Sequence, residues 1–425
     1  MNSRNLAVYI FANAPECLSE LCGVSLIERL LRVLQRLGVT DATIVTDSPE
    51  IVAELSRPSW ARAEIVLAFL KHRDDITIGE FLPAGGDKRF LIVRGDFYYD
   101  ARLLRALARA TKSSVLIDSN PSGESWPIAE IPAAACIANE DLRRGDHQLS
   151  VWGAVGEAAG TGQLALLDAA EQPPYVASMR REFRPIFFRA PIADHRQVGE
   201  SFILNAAQNG TLDLPAMMHA PVETAIVSRL CWTSITPNQV TFITLIVGLI
   251  TTFLFASGYL WWGAILALLI GVLDGVDGKL ARVKEETTEL GGWEHSLDYV
   301  VELSWWIALA SWFHRSGELP TAYRWLLLLF TADLLGRLAK RSVKLRLHRN
   351  LDDVSAFDRV VRYVAGRRNI YVWIFAIGLL LGYAASAFAG LCAWGGLSAA
   401  IHAIRAMQIR FAPKSLPPAP PLAQD

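Results

Sequence analysis

The chain has 425 residues, 52% of them hydrophobic, and its formal net charge at pH 7 is −1. This length allows two or three domains, and a charge near zero gives no indication of a nucleic-acid partner. The five cysteines are odd in number and include no CxxC pair, which favours a reducing cytoplasm over a disulfide framework or a zinc site.

Apolar runs bounded by turn residues alternate with helical patterns across residues 1–200. Strands are predicted at residues 6–12, 42–46, 65–69, 90–93 and 114–117, and helices at residues 25–37, 49–55 and 101–110. Strands that alternate with helices are typical of a mostly parallel sheet covered on both faces. The sequence therefore predicts an α/β domain over residues 1–200. The first apolar stretch is too short for a signal peptide and has the pattern of a buried strand.

The order of elements at the start of this domain is strand, loop, GVSLIER at Gly23 to Arg29, amphipathic helix, Gly38 and then the strand ATIVT. This order resembles the opening of a nucleotidyltransferase of the MobA-like or sugar-phosphate kind. Gly95 and Asp96 follow the strand FLIV and resemble that family's metal-binding aspartate at the end of a strand. The resemblance implies a nucleotidyltransferase-like fold for residues 1–200.

The loop after the first strand departs from that family's pattern. It is NAPECLSEL, which contains no glycine, lysine or arginine and carries Glu16 and Glu20. Glycine-rich backbone and positive side chains hold a triphosphate, whereas these acids repel it. We therefore expect a degenerate domain that serves as a scaffold, a regulator or an acceptor-recognition module. The alternative is a working cytidylyltransferase that makes a CDP-alcohol for the rest of the chain.

The remaining residues are mostly apolar. Residues 201–220 are predicted to be a linker, residues 221–236 a juxtamembrane helix in the membrane interface, and residues 411–425 a flexible proline-rich tail. Residues 237–410 are predicted to be an all-α domain with six transmembrane helices, at residues 240–257, 259–276, 297–313, 322–337, 370–387 and 388–407. Cationic residues concentrate after the fourth span, which by the positive-inside rule places the N-terminal domain and the C-terminus in the cytoplasm of a bacterial-type cell membrane.

Ionisable residues cluster between two of these spans, and such residues at a membrane span mark a functional site. Asp274 and Asp277 share one helix face, and Glu294, Asp298 and Glu302 recur at intervals of four on a following helix. A hairpin would bring the two acidic faces together. Carboxylates from facing helices are the hard ligands that Mg²⁺ or Mn²⁺ requires while it contacts a diphosphate.

This stretch resembles the signature of the CDP-alcohol phosphotransferases, D-x-x-D-G-x-x-A-R followed after seven or eight residues by G-x-x-x-D-x-x-x-D. Its first half is complete, at Asp274, Asp277, Gly278, Ala281 and Arg282.

The second half departs from the pattern. A seven-residue spacing places Glu294 and Asp298 in the acidic positions and Leu290 in that of the glycine. An eight-residue spacing keeps Gly291 but places His295 and Tyr299 in the acidic positions. We prefer the first register because it keeps two carboxylates one turn apart, and a third register uses Asp298 with Glu302.

The resemblance implies roles for individual residues. Asp274, Asp277, Glu294 and Asp298 would bind Mg²⁺ or Mn²⁺, and Asp298 or Glu302 would act as general base. Lys279 and Arg282 would contact phosphate, and Gly278 and Ala281 would let cytidine approach the helix. Asn238, in a TPNxxT string shared with the family, lines the site or simply begins a helix. Arg367 and Arg368 bind either the phosphate of an acceptor or anionic lipid headgroups.

The implied function is a membrane-embedded transferase that moves a phosphoalcohol group, for which phosphatidyl is one candidate, from a CDP-alcohol to an acceptor hydroxyl and releases CMP. Phospholipid or phosphodiester biosynthesis is the expected context, and a homodimer is the expected assembly. Two alternatives stay open. One is a bifunctional cytidylyltransferase and phosphotransferase of the inositol-phosphate type, and the other is a membrane scaffold that binds nucleotide without catalysis.

Overall fold

The structure is a computed structural model that describes residues 6–71, 89–119, 132–143, 149–176, 179–191, 195–210, 213–286 and 291–411. Only the backbone is described for residues 291–296. The chain divides into two compact units. The N-terminal unit comprises residues 1–176, 180–207 and 282–287, and the C-terminal unit comprises residues 177–179, 208–281 and 288–425.

A seven-stranded sheet forms the centre of the N-terminal unit. Its strands in chain order are β1 (Leu6–Phe11), β2 (Asp41–Val45), β3 (Val66–Leu70), β4 (Arg89–Arg94), β5 (Ser114–Ile117), β6 (Ala134–Ala138) and β7 (Ala165–Asp168). The order across the sheet is β7-β5-β6-β4-β1-β2-β3. Only β6 runs antiparallel to its neighbours β4 and β5. The predicted α/β domain with a mostly parallel sheet is therefore confirmed, and β6 and β7 are strands that the sequence pattern did not reveal.

Helices cover both faces of this sheet, because alternate residues of its strands point in opposite directions. They are α1 (Leu26–Arg36), α2 (Pro49–Leu55), α3 (Ala101–Arg109), α4 (Asn139–Arg143), α5 (Val151–Gly160) and α6 (Arg196–Ala206). Leu91 and Val93 of β4 lie in the apolar core that contains α1 and α3. Phe90 and Ile92 lie in a second core that contains α5. Both faces of the central strand β4 are thus covered by apolar core, as predicted for a sheet with helices on both sides.

Residues 282–287 cluster with the N-terminal unit through arginines on α1. The buried Arg29 donates to the carbonyl oxygens of Val283, at 2.5 Å, and Leu21, at 2.8 Å. Arg32 donates to the carbonyl oxygen of Lys284 at 2.7 Å. The carbonyls of Val283 and Lys284 belong to the last turn of a helix, where they lack partners within the helix, so the arginines satisfy them.

The C-terminal unit is helical in the residues that the structure describes. Its helices are α7 (Leu214–Leu230), α8 (Pro237–Ala256), α9 (Leu260–Lys284, which ends in the N-terminal unit), α10 (Gly291–Ser316), α11 (Ala322–Leu347), α12 (Ala356–Val364), α13 (Arg368–Leu380) and α14 (Ala384–Phe411). Aromatic side chains fill the core, and Trp305, Phe313, Phe375 and Phe388 are at most 1% exposed.

The residues predicted to be a linker, 201–220, are helical over most of their described length, because α6 extends to Ala206 and α7 begins at Leu214. The boundary between the two units falls within this range, and the linker itself stays a prediction. The side chain of Asp213 caps α7 by accepting from the backbone N–H of Ala216 at 2.9 Å. A proline in the first turn adds to this start signal, since it fixes a helical φ where no N–H partner is needed. The predicted interfacial helix at residues 221–236 is the second part of α7 and the turn that follows it.

Three described helices are long and apolar enough to cross a membrane: Pro237–Ala256, Leu260–Lys284 and Ala384–Phe411. Arg368–Leu380 is a shorter apolar helix. A turn at Gly382, whose φ is +81°, ends α13 earlier than the predicted boundary at residue 387. The helical nature of this unit is confirmed, and the count of six spans stays a prediction.

Candidate active site

One cavity of about 480 Å³ lies within the C-terminal unit. Its lining is strongly charged, with acids and bases facing the same space. The acids are Asp213, Asp274, Asp298, Glu302 and Asp333, and the bases are Arg337, Lys340, Arg367 and Arg368. A cavity of this composition can hold a ligand that carries both a metal-bound diphosphate and a further anionic group.

Carboxylates from α9 and α10 meet in this cavity, as the predicted hairpin requires. Asp274 comes from α9, and Asp298 and Glu302 come from successive turns of α10. Arg368, at the start of α13, forms an ion pair with Asp274 at 2.8 Å. Trp306 donates its indole N–H to Glu302 at 3.4 Å. The cavity therefore contains both alternative second-half residues, Asp298 and Glu302.

Asp277 does not line the cavity and is only 5% exposed. Its carboxylate accepts from the hydroxyl of Thr241 on α8, at 2.9 Å, and from the backbone N–H of Gly278, at 2.6 Å. Glu294 belongs to α10, but its side chain lies outside the described part of the chain. The metal-ligand roles of these two residues stay predictions.

The acids of α9 and α10 that face the cavity offer carboxylate oxygens. Such oxygens are the type of ligand that a hard divalent ion prefers. Arg368 already places one positive charge against Asp274. Within the described residues, no group of three or more His, Cys, Asp and Glu side chains has an arrangement that could hold a metal.

Two cations of the signature lie outside the cavity lining. Lys279 is 1% exposed, and its Nζ donates to the hydroxyl of Thr224 at 2.7 Å and to the side chain of Gln208. Arg282 donates from Nε to the carbonyl oxygen of Ala207 at 2.7 Å. Their contact with phosphate stays a prediction, and it requires these side chains to leave the partners they have here.

Three further residues with predicted roles are not among those that line the cavity. Gly278 and Ala281 follow Asp277 on α9 and are half-buried. Asn238 is the second residue of α8, whose start is fixed by a capping box in which Thr236 and Gln239 bond each other's backbone. The TPNxxT string therefore begins a helix, which was one of its two predicted interpretations. Asn238 is not among the residues that line the cavity.

Arg367 and Arg368 both line the cavity, as the sequence suggested for an anion site. Asp352 organises the first of them. This buried carboxylate accepts from Arg362 at 2.5 Å and from Arg367 at 3.2 Å, and it lies 3.9 Å from the Nζ of Lys340. Burial alone would raise the pKa of Asp352, but the charges of Lys340, Arg367 and Arg362 hold it below its ordinary value.

Sequence reasoning missed the contribution of α7. Asp213, its cap residue, lines the cavity and accepts from the amide of Asn369 at 3.5 Å. Farther along the helix, the buried carboxylate of Glu223 lies where a side chain on Gly275 would be, since a Cβ there would come within 2.3 Å of it. His219 lies in the same way against Gly271. The pair of glycines four residues apart on α9 was the available signal for a closely packed helix.

In the N-terminal unit, Asp96 is 3% exposed and pairs with Arg189 at 2.9 Å. The loop after β1 forms a short 3-10 helix at Pro15–Leu18, which buries Cys17. The Sγ of Cys17 would lie 3.2 Å from a Cβ on Gly95. Burial, aided by the charges of Asp96 and Glu16, raises the pKa of the Cys17 thiol to about 12. The loop after β1 is therefore packed onto the end of the sheet.

Comparison with known proteins gives one family match. The family model described as CDP-alcohol phosphatidyltransferase matches residues 234–402. Those residues include the signature on α9 and α10 and most of the cavity lining.

Two curated relatives are each described as a bifunctional IPC transferase and DIPP synthase. The protein of Aquifex aeolicus is 28% identical over 155 residues, which are 36% of this chain and 34% of the relative. That of Thermococcus kodakarensis is 41% identical over 85 residues, which are 20% of this chain and 19% of the relative. The chain thus matches about a third or less of the length of these relatives.

Two solved structures each resemble less than half of the chain. The phosphatidylinositol phosphate synthase of Mycobacterium tuberculosis with CDP-DAG bound is 20% identical, with a TM-score of 0.32, and covers 44% of this chain and 91% of its own. A putative glucose-1-phosphate thymidylyltransferase from Bacillus anthracis is 12% identical, with a TM-score of 0.33, and covers 46% of this chain and 94% of its own.

Proposed function

We propose that this chain, whose residues 234–402 form a CDP-alcohol phosphatidyltransferase domain, is a membrane enzyme that transfers a phosphoalcohol group from a CDP-alcohol to the hydroxyl of an anionic acceptor. The observation that carries the proposal is the shared cavity. Asp274 and Asp298 stand on the two helices of the signature, and Arg367 and Arg368 line the same space. Acids for a metal-bound diphosphate and bases for an anion are thus available to one bound complex.

Members of this family generally use divalent metal ions. Asp274, Asp277, Glu294 and Asp298 would hold Mg²⁺ or Mn²⁺, which when bound neutralises the charge of the diphosphate. Arg368 would then exchange its contact with Asp274 for one with phosphate, since both partners are anionic and the arginine lies at the cavity wall.

The transfer step needs a base next to the acceptor hydroxyl. Asp298 or Glu302 would take the proton as the hydroxyl oxygen bonds to the phosphorus that carries the alcohol. The bond from that phosphorus to the bridging oxygen breaks, and CMP leaves with the electron pair. Both carboxylates line the cavity, one helical turn apart on α10. The step is therefore possible in the register that uses Glu294 with Asp298 and in the one that uses Asp298 with Glu302.

CMP release tests the assignment. Asp277→Asn and Asp298→Asn should each reduce CMP release from a CDP-alcohol by about a hundredfold or more, because each removes a charge from the metal-binding set. Glu318→Gln is the matched control, since this exposed acid lies in the connection between α10 and α11. Undiminished CMP release from both aspartate variants in membranes supplied with CDP-diacylglycerol or a soluble CDP-alcohol would reject the proposal.

The N-terminal domain is proposed to have lost nucleotide transfer. Its Asp96 is neutralised by Arg189, and Cys17 occupies the sheet end where a triphosphate would approach. The alternative, a bifunctional enzyme like the relatives from Aquifex aeolicus and Thermococcus kodakarensis, predicts pyrophosphate release from CTP by the full chain. We expect none with any sugar or polyol phosphate, and CTP-dependent pyrophosphate release that Asp96→Asn abolishes would establish the bifunctional alternative.

The second half of the signature departs from the family pattern, which motivates the alternative of a membrane scaffold that binds nucleotide without catalysis. Purified protein with Mn²⁺ and a panel of CDP-alcohols separates the two hypotheses, because a scaffold binds nucleotide without releasing CMP. For the enzyme we propose an N-terminal domain and a C-terminus on the cytoplasmic side, a homodimer, and products in phospholipid or phosphodiester biosynthesis.

A further inference from the structure

Three side chains of the cavity form one connected group that no predicted role includes. The hydroxyl of Tyr299 on α10 donates to Oδ2 of Asp333 on α11 at 2.7 Å. The Nε of Arg337 donates to the same oxygen at 2.8 Å. The guanidinium carbon of Arg337 lies 4.1 Å from the centre of the Tyr299 ring. All three residues line the cavity that contains Asp274 and Asp298.

This arrangement constrains Arg337 from two directions. Asp333 binds the inner nitrogen of the guanidinium, and the aromatic ring lies against its carbon. The two Nη nitrogens take no part in these contacts, so they are available to donate to a ligand in the cavity. An arginine held in this way loses less side-chain freedom when it binds an anion, because two contacts already restrict its orientation.

An ordinary surface pair is the competing explanation, since Asp333 and Arg337 are four residues apart on one helix. Such pairs contribute little to stability and need no function. Two observations point beyond it: the third member comes from another helix, and the group faces a cavity with other cations. In the eight-residue register Tyr299 also occupies an acidic position of the signature. Where the signature has a carboxylate, this chain has a tyrosine whose hydroxyl donates to the carboxylate of Asp333 on the neighbouring helix.

We propose that Tyr299 and Asp333 are positioning residues that fix Arg337 as an anion-binding group for a phosphorylated acceptor. This inference rests on the proposed transfer and adds to it the residues that would select a phosphate monoester as acceptor. Arg337 would donate both Nη hydrogens to phosphate oxygens, and Asp333 and Tyr299 would act only through Arg337.

Inorganic phosphate is the probe, titrated into the detergent-solubilised full chain at constant ionic strength. Its apparent dissociation constant is obtained from the phosphate-dependent rise in Tm, and the Tm without phosphate reports folding of each variant. Relative to the wild type, we expect weakening of about tenfold or more for Arg337→Gln, about fivefold for Asp333→Asn and about twofold to threefold for Tyr299→Phe. Arg324→Gln, an exposed arginine on the same helix, should leave the affinity unchanged.

A double-mutant cycle separates positioning from a general structural effect. In the Arg337→Gln background, Asp333→Asn and Tyr299→Phe should cause no further loss of phosphate affinity, because they act through the arginine. Equal affinities across the series, additive losses, or no phosphate binding by the wild type would each overturn the inference. Phosphate binding that depends on Arg337, with no CMP release from any CDP-alcohol, would overturn the proposed function and leave this inference intact.

Discussion

Asp352 offers the sharpest test of how the cationic side of the cavity is organised. The residue is 4% exposed and lies at Leu351–Asp353, between α11 and α12, where it holds Arg362 and Arg367 by direct hydrogen bonds. Asp352→Asn keeps the shape of the side chain and removes its charge. Two partly buried arginines then lose the buried anion that offsets them, and removing one partner of such a pair is costly.

The loss of stability in Asp352→Asn follows from the two hydrogen bonds that its carboxylate accepts from Arg362 and Arg367. Hydrogen bonds to charged groups contribute about 1.5–3 kcal/mol each, and an amide oxygen retains part of that, so the free energy of unfolding should fall by about 2–4 kcal/mol. Lys340, whose Nζ lies 3.9 Å from the carboxylate, contributes a charge interaction over a longer distance that is not counted in this sum. A displaced Arg367 should also raise the KM for a phosphorylated acceptor by about tenfold, equivalent to about 1.4 kcal/mol.

Thermal unfolding and acceptor kinetics measure the two effects, with Asp353→Asn as the matched control. The adjacent Asp353 undergoes the same chemical change but is only half-buried and accepts from Asn350 at 3.4 Å. Equal stability and equal KM values for the two variants would refute the assigned role of Asp352.

The pH dependence of this difference follows from the lowered pKa of Asp352. A carboxyl group with a depressed pKa in the folded state stabilises the protein above its unfolded pKa of about 3.9 and loses that contribution as pH falls through the folded value. The stability difference between the wild type and Asp352→Asn should therefore be complete at neutral pH and shrink below about pH 4. A difference that stays constant down to pH 3 would contradict the electrostatic explanation.

Two further predictions concern packing around the two candidate sites. The Cys17 thiol should resist alkylation at pH 8 in the native protein, because a pKa of about 12 makes its thiolate about a thousandfold rarer than in an ordinary cysteine; fast labelling of Cys17, mapped by mass spectrometry, would show that the loop after β1 opens. Gly366→Ala should reduce CMP release, since a Cβ there would come within 2.3 Å of the Tyr371 hydroxyl in the cavity wall. Gly390→Ala, where a Cβ meets nothing within 4 Å, should retain full activity, and equal loss in both variants would show that the contact with Tyr371 is irrelevant.

Local patterns were sufficient to predict most elements of the N-terminal domain. The strands of the seven-stranded sheet and the described α-helices up to residue 117 were predicted to within about two residues, because turn residues bound short apolar runs and periodicity distinguishes the two element types. Periodicity did not predict β6, which is rich in alanine, or β7, which is partly exposed, because neither has the strongly apolar run that is typical of a strand. The cap at Asp213 was also overlooked, although an aspartate before Leu-Pro is a start signal that the sequence does contain.

The sequence by itself determined the chemistry of the site: an acidic helix face at Asp274, a second at Asp298, and cations near Arg367. Only the tertiary structure decided which of these residues share a space. Asp277 and Lys279 point to other helices, whereas Tyr299 and Arg337, which carried no predicted role, line the cavity. The reason is geometric, because periodicity gives the faces of one helix, but the neighbours of each face depend on how distant segments pack.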